Sequence, residues 1–385
     1  MKKYGLVLAG GGGKGAYQIG AWQALREMGI TFEAIAGVSI GGINGALIAA
    51  GDYDKAKEFW HNISVDKGVR FAKDLPDSEN LFSRKNWGVL FKEVIKSGGI
   101  DASPAAEFIS QFIDEDKVRD SKIDLGVITV QMTQGVVPRE IFVHEMPKGQ
   151  LVDYLLASAN IPLATNIGPE GEKFLDGGAY DNTPLMTLKK RGYNRLIIVD
   201  ISNIKGVAHN INYLNSEIVH IRPYDIDDLG AAFDFDDAVI DRRIRLGYLD
   251  TQKAFSNLLG NIYYFEPHTF RIMVKRYSAD TVLQIEQMAH QLGIEKAEIY
   301  GENEFISIVK AEYEKEVIAY QEKQQALEKE EEGIMRHLKK RFMDKKTFDD
   351  YPLAVELFDA LNPNLKAVNE PEAEIKELTE TTNEV

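Results

Sequence analysis

The chain has 385 residues, 44% of them hydrophobic, and a formal net charge of −15. That length accommodates two domains, or one large domain with an extension. The acidic balance excludes a general nucleic-acid binder and attachment to anionic membranes by charge alone. The absence of cysteine excludes disulfides, thiolate nucleophiles and cysteine-ligated metals.

Met1-Lys2-Lys3-Tyr4 has the charge of a signal peptide, but the apolar run behind it, Leu6-Val7-Leu8-Ala9, is too short for one and ends in glycines. No stretch approaches the ~18 apolar residues of a membrane span. These features read as a soluble, cytoplasmic chain whose contact with a membrane is peripheral and transient. Gly5 to Ala9 is predicted as a buried strand that breaks into Gly10-Gly11-Gly12-Gly13-Lys14-Gly15. Ala16, Ile19, Ala21, Trp22, Leu25 and Met28 then recur at near-helical spacing, closed by Gly29. Phe32 to Val38 gives a second strand, and Gly42 to Ala50 a second helix. Strand and helix alternating at this pitch predict a mostly parallel α/β sheet.

Residues 52–120 read as mostly helical, with a loop around Pro76-Asp77-Ser78. Strands are predicted at 123–130, at 136–143 (pairing back after the Thr133-Gln134-Gly135 turn), at 173–175, at 196–201 and at 218–221. Val152 to Asn160 is helical in character and stops at Ile161-Pro162. Asp237 to Leu259 is helical, and beyond residue 266 strand signals fade. Tyr313, Val317, Tyr320, Gln324, Leu327, Ile334 and Leu338 form a stripe in steps of four and three, interrupted by Glu331. It reads as a helix packed on its own domain in preference to a coiled-coil partner. The expected organisation is an α/β domain over 1–265, a helical region over 266–368 and an acidic, disordered tail over 369–385.

Gly37-Val38-Ser39-Ile40-Gly41 sits between the second strand and the second helix. In that setting a G-x-S-x-G pentapeptide becomes a nucleophile elbow, with the serine pushed out where substrate can reach it. Such a hydroxyl also needs a trap for the developing anion and a base. The glycine run supplies the trap: N–H groups of Gly11, Gly12 and Gly13 gather at a helix N-terminus, and Lys14 adds positive charge. The base is less plain. None of the seven histidines lies in a glycine-rich turn at a strand end, and each reads as a surface or structural residue. Asp176-Gly177-Gly178 fits a carboxylate at a strand end and fits an Asp-Gly hairpin turn equally well.

Taken together and in order, Gly10-x-Gly12-x-x-Gly15, Gly37-x-Ser39-x-Gly41 and Asp176-Gly177-Gly178 resemble the patatin-like phospholipase family. Ala157-Ser158-Ala159-Asn160-Ile161-Pro162 and Asp181-Asn182-Thr183-Pro184 match as supporting context. The resemblance spans residues 5 to 200 and extends toward 265. It implies a three-layer α/β/α sandwich with a mostly parallel central sheet, to which this chain adds a C-terminal helical extension. It also implies a serine–aspartate dyad, with Ser39 as nucleophile and Asp176 as general base. The oxyanion hole would be the glycine turn, assisted by the N–H of Ile40. The implied substrate is a lipid acyl ester, with no cofactor and no metal. Lys14 stands where many members carry arginine, and Gln18 where many bacterial members carry histidine. Two rivals remain in view. One is a silent lipid-binding or scaffold protein, whose signature would be loss of Ser39 or Asp176. The other is a dinucleotide-binding protein, since the glycine run also fits that fingerprint with Glu33 as its acid.

Overall fold

The computed structural model describes residues 3–64, 70–71, 100–101, 103–132, 135–160, 164–165, 174–202, 216–330 and 351–361. Contacts divide the chain into two compact units, 1–255 and 256–385.

The first unit is built on a seven-stranded sheet. Its strands are β1 (Lys3–Leu8), β2 (Thr31–Val38), β5 (Asp124–Gln131), β6 (Val137–Phe142), β8 (Phe174–Asp176), β9 (Arg195–Val199) and β10 (Glu217–Ile221). The numbers β3 (Arg70–Phe71), β4 (Ile100–Asp101) and β7 (Ala164–Thr165) belong to a separate small sheet. The order is β10-β9-β1-β2-β5-β6, with β8 also pairing β5. From β10 to β5 every pairing is parallel, while β6 and β8 run antiparallel to β5. The central strands read as unbroken apolar runs because both faces are covered. Helix α1 (Ala16–Glu27), α2 (Ile40–Ala50), α3 (Tyr53–Asn62), α4 (Ser103–Phe112), α5 (Glu115–Asp120) and α6 (Leu151–Ser158) come before β8. Helix α7 (Leu185–Lys190) and α8 (Asp237–Ala254) follow it.

On one face Leu185 and Leu188 of α7 pack with Val7, Ala36, Val38, Ile128 and Ile198. On the other, α2 lies so close that a Cβ on Gly45 would touch Leu125, Ile35 and Leu8, and Gly42 faces Leu155 of α6. Helices on both faces of a mostly parallel sheet are the three-layer α/β/α arrangement expected from the sequence. Among the described residues no helix is long and apolar enough to cross a membrane.

Several expected elements shift at their ends. The helix predicted to Leu259 stops at Ala254, and Ser256 adopts φ 63°. Leu259 and Phe265 then bond each other across a tight turn within the second unit. That unit is helical: α9 (Pro267–Tyr277), α10 (Ala279–Gln291), α11 (Glu302–Glu330) and α12 (Pro352–Leu361). Tyr313 and Val317 are buried in this unit's own core, with Phe305 and Phe358. Ile334, Leu338, His209, His337, the Pro76 loop, Ile161-Pro162 and the acidic tail lie outside the described residues.

Candidate active site

Between Val38, the last residue of β2, and Ile40, the first of α2, Ser39 alone makes the turn. Its backbone sits at φ 54°, ψ −128°, a strained region for a residue with a Cβ. Neighbours hold it there. The Ser39 N–H donates to Ser158 Oγ at 2.8 Å, and the Ser158 hydroxyl donates to the Ile128 carbonyl at 2.5 Å. Gly37 and Gly41 are required for close approach. A Cβ on Gly37 would strike the Gly41 carbonyl, and one on Gly41 would strike that of Leu8.

Strand register explains how a residue 137 positions later reaches Ser39. In β5, residues Asp124 to Ile128 pair with β2, whose Val38 lies opposite Ile128. The next residues, Thr129 to Gln131, pair with β8, whose Asp176 lies opposite Thr129. Thus β8 takes over the lane beside β5 where β2 ends, and the two turns meet. The Ser39 side chain comes close enough to the Asp176 carboxylate to act on its ionisation. Burial pushes the Asp176 carboxyl up to about 6, against the Gly178 N–H and the Ser39 hydroxyl, which hold it down. The Gly178 N–H donates to Asp176 Oδ1 at 2.6 Å. A Cβ on Gly177 would strike the Ile128 carbonyl, so this turn also needs glycine to come close.

The glycine run forms a 3-10 turn, Gly12–Gly15, feeding directly into α1. It abuts the nucleophile: a Cβ on Gly10 would lie 3.2 Å from Ser39 Cβ. Asn182 straps this turn to the aspartate turn. Its Nδ2 donates to the Gly10 carbonyl at 3.1 Å, and its own carbonyl accepts from the Gly10 N–H at 3.3 Å. Among the described residues no backbone carbonyl accepts from the Gly11 or Gly12 N–H. Ile40 begins its helix, so its N–H has no acceptor within it.

Gly13 departs from the expectation. Its N–H donates to the Ala232 carbonyl at 2.6 Å, so it is committed to a neighbouring loop and not to an oxyanion. That loop is clamped by Arg243 of α8, which is fully buried and donates to the carbonyls of Leu229, Asp234 and Ala231 at 2.7, 2.6 and 2.6 Å. Lys14 is also buried. Burial draws its ammonium below the ordinary lysine value, with Asp227 working in the opposite direction. Lys14 is therefore part of the packing behind the turn and not an exposed cation.

Behind both turns runs a buried polar chain. Trp60 Nε1 donates to Asn44 Oδ1 at 3.0 Å. Asn44 Nδ2 donates to Gln18 Oε1 at 2.8 Å and to the Gly15 carbonyl at 2.9 Å. Gln18 Nε2 donates to the Ala9 carbonyl at 2.8 Å. Ser158, Asn182, Asn44 and Arg243 were not singled out for such roles from sequence. The usable signal was a polar residue inside an apolar helical run, as with Asn44.

Three of the histidines lie beside carboxylates. His61 bonds Asp241 at 2.9 Å, His144 bonds Asp124 at 3.0 Å, and His220 lies 3.4 Å from Asp200. Glu33 is exposed near the start of β2, while the end of that strand carries Ser39. A dinucleotide fingerprint needs its acid at the strand end beside the glycine turn, so that reading loses its second element.

A strained serine between strand and helix, a buried carboxylate beside it and a glycine-rich turn alongside meet at one edge of the mostly parallel sheet of an α/β protein. Residues 6–189 match the patatin-like phospholipase family, so this part of the chain is a patatin-like phospholipase domain. Over 204 residues it is 29% identical to a lysophospholipase NTE1 of Candida glabrata, covering 52% of this chain and 10% of that protein. The NTE1 of Candida albicans is 29% identical over 211 residues, covering 52% of this chain and 13% of that protein. The chain thus matches only a small part of the length of these relatives. Among solved structures, VipD from Legionella pneumophila is similar with a TM-score of 0.37 at 14% identity, covering 94% of this chain and 85% of that one. The type III effector ExoU gives 0.35 at 13% identity, covering 98% and 84%.

Proposed function

We propose that this chain is a lipid acyl hydrolase of phospholipase A type, working through Ser39 and Asp176. The observation that carries the reading is the shared register of β2 and β8 on β5, which brings the strained Ser39 turn and the buried Asp176 carboxylate side by side. Ser39 Oγ attacks the ester carbonyl carbon while its proton passes to Asp176. The tetrahedral oxyanion is held by the N–H groups of Gly11, Gly12 and Ile40. Such preorganised donors are worth about 3–4 kcal/mol each. Collapse breaks the bond to the alcohol, which leaves with the proton from Asp176. Water, deprotonated by Asp176, then attacks the acyl-serine, and the carboxylic acid departs as Ser39 regains its proton. A carboxyl near 6 is a stronger base than an ordinary aspartate yet is ionised at neutral pH, which suits both steps.

The fungal relatives are lysophospholipases by name, so single-chain lysophospholipids are the first substrates to test, followed by two-chain glycerophospholipids. The cysteine-free sequence fits a cytoplasmic setting with peripheral membrane contact. The test is a fluorophosphonate probe together with a panel of acyl esters running from short nitrophenyl esters to phospholipid vesicles. Wild type should be labelled and active. Ser39→Ala should lose labelling, and Asp176→Asn should lose about 10³-fold or more in kcat. Labelling that survives Ser39→Ala would move the nucleophile to another residue, and a wild type that is neither labelled nor active toward any ester would leave the scaffold reading in its place.

A further inference from the structure

Six large apolar side chains of the first unit are exposed among the described residues: Met132, Val136, Val137, Tyr180, Met186 and Tyr224. Scattered singly, such residues are ordinary. Here they are not scattered. Met132 follows the last residue of β5, and Val137 opens β6 opposite Gln131, the end of β5. Val136, the most exposed at 70%, precedes it. Tyr224 comes three residues after the end of β10. Tyr180 lies four residues beyond Asp176, and its ring is close enough to Lys190 to act on its charge. Met186 is the second residue of α7 and comes four residues after Asn182, which is bonded to Gly10. Met132, Val136, Val137 and Tyr224 therefore stand at the carboxyl ends of the parallel strands, the edge that also carries Ser39 and Asp176, and Tyr180 and Met186 lie on the turn and helix that follow Asp176.

The opposite edge is different in kind. The parallel strands begin at Lys3, Thr31, Asp124, Arg195 and Glu217, every one polar or charged. Arg195 and Glu217 pair at 2.8 Å, and Arg191 reaches Asp124 at 3.5 Å. One edge of the sheet is thus wet and ion-paired, and the other presents apolar tips around the mouth of the candidate site.

We infer that this apolar edge is a docking surface for an electrically neutral lipid aggregate, such as a zwitterionic bilayer or micelle, which brings the acyl ester to Ser39. The choice of occupant rests on the lipid-hydrolase reading. The choice of lipid rests on charge. With a net charge of −15 the chain is repelled by anionic surfaces. Of the cations near the rim, Lys190 pairs with Glu140 at 2.8 Å and Arg139 bonds Gln131 at 2.8 Å, while Arg222 stands exposed beside the acidic run that follows Tyr224. Aspartates 225, 227 and 228 follow Tyr224 directly. Attachment must then come from apolar area, with the two tyrosines suited to the headgroup level, where one end of the ring is dry and the other wet.

Sedimentation with phosphatidylcholine vesicles tests this directly on the full chain. Wild type should bind, and high salt should not release it. Met132→Ser with Val136→Asp at one end of the rim, and Tyr224→Ser at the other, should each weaken vesicle binding about tenfold or more. Hydrolysis of vesicle lipid should fall in step, while hydrolysis of a soluble short-chain nitrophenyl ester should stay at the wild-type level. Ser39→Ala should bind like wild type, since docking precedes chemistry. A wild type that ignores phosphatidylcholine, variants that bind unchanged, or binding that requires phosphatidylglycerol and vanishes in salt would each overturn the inference. A chain that binds vesicles through this rim yet cleaves no ester would keep the surface and refute the hydrolase reading, so the two fail separately.

Discussion

Asp176 carries an ionised form that the fold does not favour, and this has two measurable consequences. With its carboxyl pushed up to about 6, the basic form fills as pH rises through that value. If Asp176 is the base, kcat/KM on a soluble ester should fall about tenfold per pH unit below 6 and level off above it. A profile flat from pH 4 to 8 would remove Asp176 from the chemistry. The second consequence is in stability. The unfolded carboxyl titrates near 3.8, so between about 4 and 6 the folded chain still holds a proton that the unfolded chain has released. Stability therefore drops as pH rises through that window and stays lower above it. Asp176→Asn removes the penalty and can still accept the Gly178 N–H. The variant should be more stable than wild type at about pH 8, by at most about 3 kcal/mol, and equal to it near pH 3.5. Equal denaturant midpoints at both values would show that the carboxyl is not held up.

Helices α1 and α2 are tied to each other and to the glycine turn by the Trp60–Asn44–Gln18 chain, whose members are all fully buried. Buried polar chains are costly when broken, because the groups left behind have no water to turn to. Asn44→Leu would strand the Trp60 N–H, the Gln18 carbonyl and the Gly15 carbonyl at once. It should lower stability by about 2–4 kcal/mol, whereas Trp60→Phe, which removes one donor, should cost nearer 1 kcal/mol from the hydrogen bond itself. Urea midpoints for the two variants check the ranking, and a fully stable Asn44→Leu would show the chain to be dispensable. The elbow and the strands along the chain were legible in the sequence because close backbone approach admits only glycine at Gly37 and Gly41, and because central strands of a parallel sheet are apolar throughout. The polar chain was not. Asn44 stands in an apolar helical run and gives no sign of its partners, which lie 26 and 16 residues away. The loss of Gly13 as a free donor was equally hidden, since it depends on a loop clamped by Arg243, a residue that looks like helix surface by type alone.

At the scale of the whole chain, the two units differ in how much of their organisation the sequence discloses. The first announces itself through glycine patterns. The second is rich in charged helix formers and shows no motif, yet it encloses an aromatic core in which Tyr263, Phe265, Tyr300 and Phe305 meet at ring distances of 4.8 to 5.9 Å. What fixes the entrance to that core is a carboxylate. Glu286 of α10 is 1% exposed, and its oxygens accept the N–H groups of Asn261, Ile262 and Tyr263 at 2.6 to 3.1 Å. Composition places glutamate on the outside of a helix. Here it substitutes for the strand or helix that would otherwise satisfy three successive amides, in the way a cap serves a helix end. Glu286→Ala leaves those donors buried without an acceptor and opens a gap beside Tyr263. The expected loss is about 3–5 kcal/mol. Glu286→Gln keeps the shape and one acceptor oxygen and should fall in between. Hydrogen exchange of the 261–263 amides reads this locally. They should be among the slowest of the second unit in wild type and exchange much faster in Glu286→Ala. Unchanged protection would mean that the chain around Tyr263 is held by its aromatic neighbours alone.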